Sequence, residues 1–88
     1  MPQKNKDFKS DFSFKILKVF RSDRTDEQNA MDLMVITWTR CGKPALEKRR
    51  VYNCKNGEKR LRKLVGMNAE DIRFILAHAE EISQLLNP

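Results

Sequence analysis

The 88-residue chain is poor in metal ligands: it has two cysteines, Cys41 and Cys54, and one histidine, His78. These cannot close a four-ligand zinc site within one chain. A disulfide is not expected either. If residues 46–54 form a strand, Cys54 lies roughly 30 Å of strand away from the turn that holds Cys41. Two reduced thiols suit a reducing compartment. Long hydrophobic runs are also missing. No stretch approaches the ~20 apolar residues that cross a bilayer, and the opening MPQKNKDFKSD lacks the apolar segment of a secretory signal. The expectation is a soluble intracellular protein, cytoplasmic or, in a eukaryote, nuclear, with no membrane partner. No Ser/His/Asp set, Cys/His pairing, glycine-rich phosphate loop or metal cluster can be assembled. Neither an enzyme nor a cofactor is therefore expected.

Positive charge is abundant and concentrated. The formal net charge is +6. The stretch RCGKPALEKRRVYNCKNGEKRLRK, residues 40–63, holds ten basic side chains against Glu47 and Glu58. Residues 1–39 are close to neutral, and residues 64–88 set Arg73 against Glu70, Asp71, Glu80 and Glu81. A dense cationic block attracts a polyanion, because each neutralised phosphate releases condensed counterions. A solvated charged face is the plainer reading of such a run. Trp38 and Tyr52, interleaved with the charge, favour nucleic acid.

Forty per cent hydrophobic content over this length supports one small core. Residues 1–11 read as a polar, lysine-rich tail and 12–88 as a single domain. Residues 12–21 alternate as a strand, with Phe12, Phe14, Ile16 and Phe20 on one face and Lys18 interrupting it. Residues 22–31 read as a long polar connection. Residues 32–40 form a second strand rich in β-branched side chains. CGKP at 41–44 is a turn, 45–54 a returning strand, KNG at 55–57 a second turn and 58–65 a fourth strand, with a helix as its alternative. Beyond Gly66 the period changes. Asn68 is a good N-cap, Glu70 and Asp71 suit a first helical turn, and Ile72, Ile75, Leu76, Ala79, Ile82 and Leu86 make one stripe. The fold class is α+β: a four-stranded antiparallel β-meander followed by one C-terminal amphipathic helix over 69–86.

If the 41–44 turn sets the pairing, facing residues have numbers that sum to about 86. Arg40 then faces Leu46, Trp38 faces Lys48, Ile36 faces Arg50 and Met34 faces Tyr52. That register gathers Trp38, Arg40, Lys48, Arg50 and Tyr52 on one face and leaves Leu33, Val35, Thr37 and Val51 for the helix. An exposed face with aromatics among cations suits single-stranded nucleic acid, since unpaired bases stack on flat rings while cations follow the backbone. The candidate nucleic-acid-binding set is Lys15, Trp38, Arg40, Lys48, Arg50, Tyr52, Lys59, Arg60, Arg62 and Lys63. Trp38 is equally readable as a core or interface tryptophan, and Tyr52 as a sheet residue with a wet hydroxyl. His78 reads as a surface histidine, and Phe74, His78 and Leu85 make a second stripe suited to a dimer interface.

The run NGEKRLRKLVGMNAEDIRFILAHAEEISQLL, residues 56–86, resembles the end of the transcriptional positive cofactor four family. Lys63, Gly66, Met67, Asn68 and Asp71 fill comparable places, and the pair around Trp38–Arg40 and Lys48–Tyr52 resembles that family's central hairpin. GEKRLRK stands where the family has a proline- and glycine-rich turn. The resemblance implies a homodimeric single-stranded-DNA-binding protein with a curved β-platform, acting in transcription, replication or repair. The competing expectations are an RNA-binding variant and a small phage- or plasmid-type regulator or inhibitor whose basic face docks on an acidic protein.

Overall fold

The computed structural model describes residues 14–39 and 42–87. Phe12, Arg40 and Cys41 therefore lie outside the described residues. Four strands, β1 (Phe14–Arg24), β2 (Asn29–Trp38), β3 (Pro44–Asn53) and β4 (Lys59–Leu64), form one antiparallel sheet in the order β1-β2-β3-β4. Two helices follow, α1 (Ala69–Ala77) and α2 (Ala79–Leu86). The α+β meander with a C-terminal helical cover is the expected class, with two helices in place of one.

The connection expected over 22–31 is mostly strand. β1 runs to Arg24, β2 starts at Asn29, and a tight turn joins them. The Asp26 carboxylate makes that turn possible. It accepts from the backbone N–H groups of Gln28 and Asn29, both at 2.8 Å, and from the Asn29 side chain. The hydrogen bond from the Asn29 side chain, followed by those from the two backbone amides, holds the Asp26 pKa below its ordinary value. An Asx-type turn of this kind closes a hairpin without glycine.

The β2–β3 register also differs from expectation. Thr37 faces Pro44, Leu33 faces Lys48 and Asn29 faces Tyr52. Between the two strands, Gly42 has φ 72° and its N–H donates to the Trp38 carbonyl at 2.8 Å. Pro44 opens β3 at the position where a strand tolerates a residue without an N–H. The shift from the expected pairing is an odd number of residues, so every β3 side chain changes face relative to β2. Trp38 shares its face with Glu47 and Arg49, whereas Lys48, Arg50 and Tyr52 lie on the other. Val51 likewise leaves the helix side.

Two bulges in β1, at Leu17 and Phe20, reset its alternation. Lys18 and Arg21 thereby join the helix side, and Phe14, Ile16 and Val19 join the opposite side. On that opposite side Met34, Ile36 and Val51 are fully buried, walled by Phe14, Ile16, Val19, Trp38 and Leu61. The other face carries the helices, with α2 packed on β2 and β3 and Ile82 buried there.

Asn68 caps α1 as expected. Its side chain accepts from the Asp71 N–H and the Asp71 carboxylate accepts from the Asn68 N–H, both at 2.9 Å. The helix breaks at His78 (φ −114°, ψ 21°), with neither glycine nor proline at the break. The His78 ring stacks on Phe74 at 4.2 Å and lies 6.2 Å from Phe20. His78 is thus a wedge between helix and sheet, not a surface histidine, and the break lets α2 turn onto the sheet. On α1, Ile72 and Leu76 of the expected stripe are exposed, at 47% and 71%.

Candidate nucleic-acid interface

Three of the expected phosphate-binding residues sit together beside Tyr52. Arg60 faces Tyr52 directly across β3–β4, and Arg50 precedes Tyr52 by two residues on the same face. The Arg62 guanidinium lies 5.6 Å from the centre of the Tyr52 ring. Arg50, Arg60 and Arg62 are exposed and Tyr52 is half-buried. The sheet geometry explains the grouping. Lys48 marks the point on β3 where Asp71 of α1 crosses, so Arg50 and Tyr52 fall past the helix, toward the β3–β4 turn. Lys63 is exposed at the end of the same edge strand, and Lys15 is exposed on β1, at the far edge of the sheet.

Other members of the expected set have different roles. Lys48 is 5% exposed, and its ammonium is committed to Asp71 at 2.5 Å. Asp71, 1% exposed, also accepts from Arg21 at 3.1 Å. Burial alone would raise the Asp71 pKa. The hydrogen bonds from Lys48 and the Asn68 backbone, with the charges of Lys48 and Arg21, outweigh it and hold the carboxyl below its ordinary range. Lys48 therefore anchors α1 to the sheet and has no reach toward a phosphate. Lys59 donates to the fully buried Asp32 and to Asn53, both at 3.1 Å, and Ser22 completes that network with a hydrogen bond to Asp32 at 2.5 Å. Its charge is largely neutralised from inside.

Trp38 lies on the opposite face from Tyr52. Its ring packs on the Met34–Ile36–Val51 cluster, stands 5.6 Å from Phe14 and lies 5.0 Å beneath the Arg49 guanidinium. Its indole N–H donates to Glu47 at 3.1 Å, and Glu47 also pairs with Arg49 at 2.6 Å. Arg49 was not among the expected site residues. The signal that could have found it is the register, which the turn signal at 41–44 misplaced.

Of the expected dimer stripe, Phe74 and His78 pack against each other and Leu85 is half-buried. Among the described residues no group of three His, Cys, Asp or Glu side chains is placed to hold a metal, and no helix is long and apolar enough to cross a membrane. Cys54 is a free, half-buried thiol. Compared with known proteins, the chain matches no protein-family model, no curated protein and no solved structure.

Proposed function

We propose that the protein binds single-stranded nucleic acid, DNA in the first place, with little sequence preference, and serves transcription regulation, replication or repair. The observation that carries this reading is the exposed group of Arg50, Arg60 and Arg62 around the Tyr52 ring on an uncovered part of the sheet. A flat ring offers a stacking surface to an unpaired base, while guanidinium groups pair with the phosphates on either side. A duplex hides its base faces, so the tyrosine would gain nothing from one. The resemblance of residues 56–86 to a single-stranded-DNA-binding family points the same way and adds a homodimer.

Titration of labelled oligo(dT) across a series of salt concentrations tests the reading. Arg50→Ala should weaken binding to every sequence alike and flatten the log-affinity against log-salt slope by roughly 0.7, the single-strand value for one phosphate. Tyr52→Ala should cost ~1–3 kcal/mol with the slope nearly unchanged, because stacking releases no counterions. Binding that is absent at low salt, or unaffected by both substitutions, overturns the proposal. Competition between matched DNA and RNA strands sets the preference between the two.

A further inference from the structure

On the face of the sheet turned away from the helices, the outermost strands come together. An open hollow of about 610 Å³ is lined by Phe14 and Ile16 of β1 and by Glu58, Lys59 and Arg60 at the start of β4. β1 and β4 are the two edges of the sheet. They can share a hollow only because the bulged, twisted sheet curls across its diagonal. The volume falls in the ~300–1,000 Å³ range of sites that take small molecules.

The chemistry of the walls is divided. One side is apolar, with the Phe14 ring resting against Trp38 and the Met34–Ile36–Val51 cluster. The other carries the Glu58 carboxylate and the Lys59 ammonium, while Arg60 borders it at the sheet edge with its side chain on the Tyr52 face. Glu58 is held in place by the β3–β4 turn. Its N–H donates to the Asn56 side-chain oxygen and its Oε1 accepts from the Asn56 amide, both at 3.0 Å, and its carbonyl accepts from Cys54 at 2.8 Å. Glu58 Oε2 has no hydrogen-bond partner among the described residues. A bare phosphate fits these walls poorly, since Glu58 repels it, Asp32 already neutralises Lys59, and Phe14 and Ile16 stay uncovered. A ligand with a flat apolar face and an outward-pointing N–H satisfies these walls, with an anionic tail lying outside them at the β4 edge.

We propose that this hollow receives one unpaired nucleobase bearing an exocyclic amino group, namely cytosine, adenine or guanine, of a bound single strand. The proposal rests on the nucleic-acid reading above and deepens it. The base lies along Phe14, its amino group donates to Glu58 Oε2, and its phosphate leaves over the β4 edge toward Arg60 and the Tyr52 face. Carboxylates accept from amino groups of this kind, whereas thymine and uracil present carbonyl oxygens in their place, which a carboxylate repels. The result is a base preference added to a largely sequence-independent platform.

Anisotropy titrations of labelled oligo(dC) and oligo(dT) of equal length, near neutral pH, test it with the full chain, Glu58→Gln and Phe14→Leu. The parent should favour oligo(dC) by roughly 5-fold or more, the lower end of a base-specific contact. Glu58→Gln should abolish that preference and leave the salt slope unchanged. Phe14→Leu keeps an apolar wall and should lose roughly 5-fold or more toward oligo(dC), the lower end of one stacked base. If Phe14→Leu fails to fold, Glu58→Gln decides, because Glu58 is exposed and outside the core. Equal binding of both oligonucleotides by parent and Glu58→Gln overturns the hollow and leaves the arginine platform standing. No binding of either oligonucleotide by the parent overturns both.

Discussion

Asp71 shows how a residue readable as a first-turn helix acid becomes the joint of the fold. Its place beyond the Asn68 cap suited a first-turn acid, but gave no sign that its carboxylate would also hold Lys48 and Arg21 against the sheet. Lys48 belongs by composition to the basic block and by position to the interior. No local pattern separates it from Arg50 two residues later, since only the register and the crossing helix decide which cation is covered. The joint makes stability depend on pH. The folded-state pKa of Asp71 lies below its ordinary value of about 3.9, so its contribution is complete above that pH and is lost as pH falls through the folded value. Urea denaturation should show stability dropping in acid, and Asp71→Asn should show a smaller drop. Parallel pH curves for the two proteins would remove the assignment. Lys48→Ala, which leaves the buried Asp71 short of its nearest partner, should destabilise by ~3–5 kcal/mol.

The elements were legible to different degrees for physical reasons. The period switch beyond Gly66 and the Asn68 cap are local, so the start of α1 was readable. The β-rich runs at 32–40 and 45–54 were also readable as strands. The bulges at Leu17 and Phe20 and the wedge at His78 are settled by packing between elements, so alternation and helical spacing misassigned those faces. Turns mislead when they lack glycine, as at Asp26, or when their proline opens the next strand, as at Pro44. The β3–β4 turn is the contrasting case, because Gly57 has φ 92° and its N–H donates to the Cys54 carbonyl at 3.0 Å. Space is open around both Gly57 and Gly66, and of the two only Gly57 has a positive φ. Gly57→Ala should therefore cost about 1–2 kcal/mol through backbone strain alone. Gly66→Ala should be close to neutral. Chemical denaturation of the two variants side by side distinguishes strain from crowding, and equal losses would contradict the geometry.

For the whole molecule, the reading is of a sheet with one face under helices, the other curled over a small core, and cations gathered along one edge. Ile72 and Leu76 remain uncovered one turn apart on α1. Under the dimer proposal a second copy covers them. Sedimentation at micromolar concentration should then give twice the 10.4 kDa chain mass, and Leu76→Glu should return the monomer. A parent that sediments as a monomer would end the dimer reading without touching the arginine platform. The edges of the sheet also restrict how copies can meet. A bare strand edge invites another strand to pair with it. β1 answers that risk by shape, since its two bulges interrupt the row of backbone groups. β4 answers it by charge, with Arg60, Arg62 and Lys63 exposed along it. Salt leaves a bulge unchanged but screens a charge, and a bound polyanion cancels it. The two borders are therefore unequal guards: one is permanent, and the other relaxes whenever its cations are occupied.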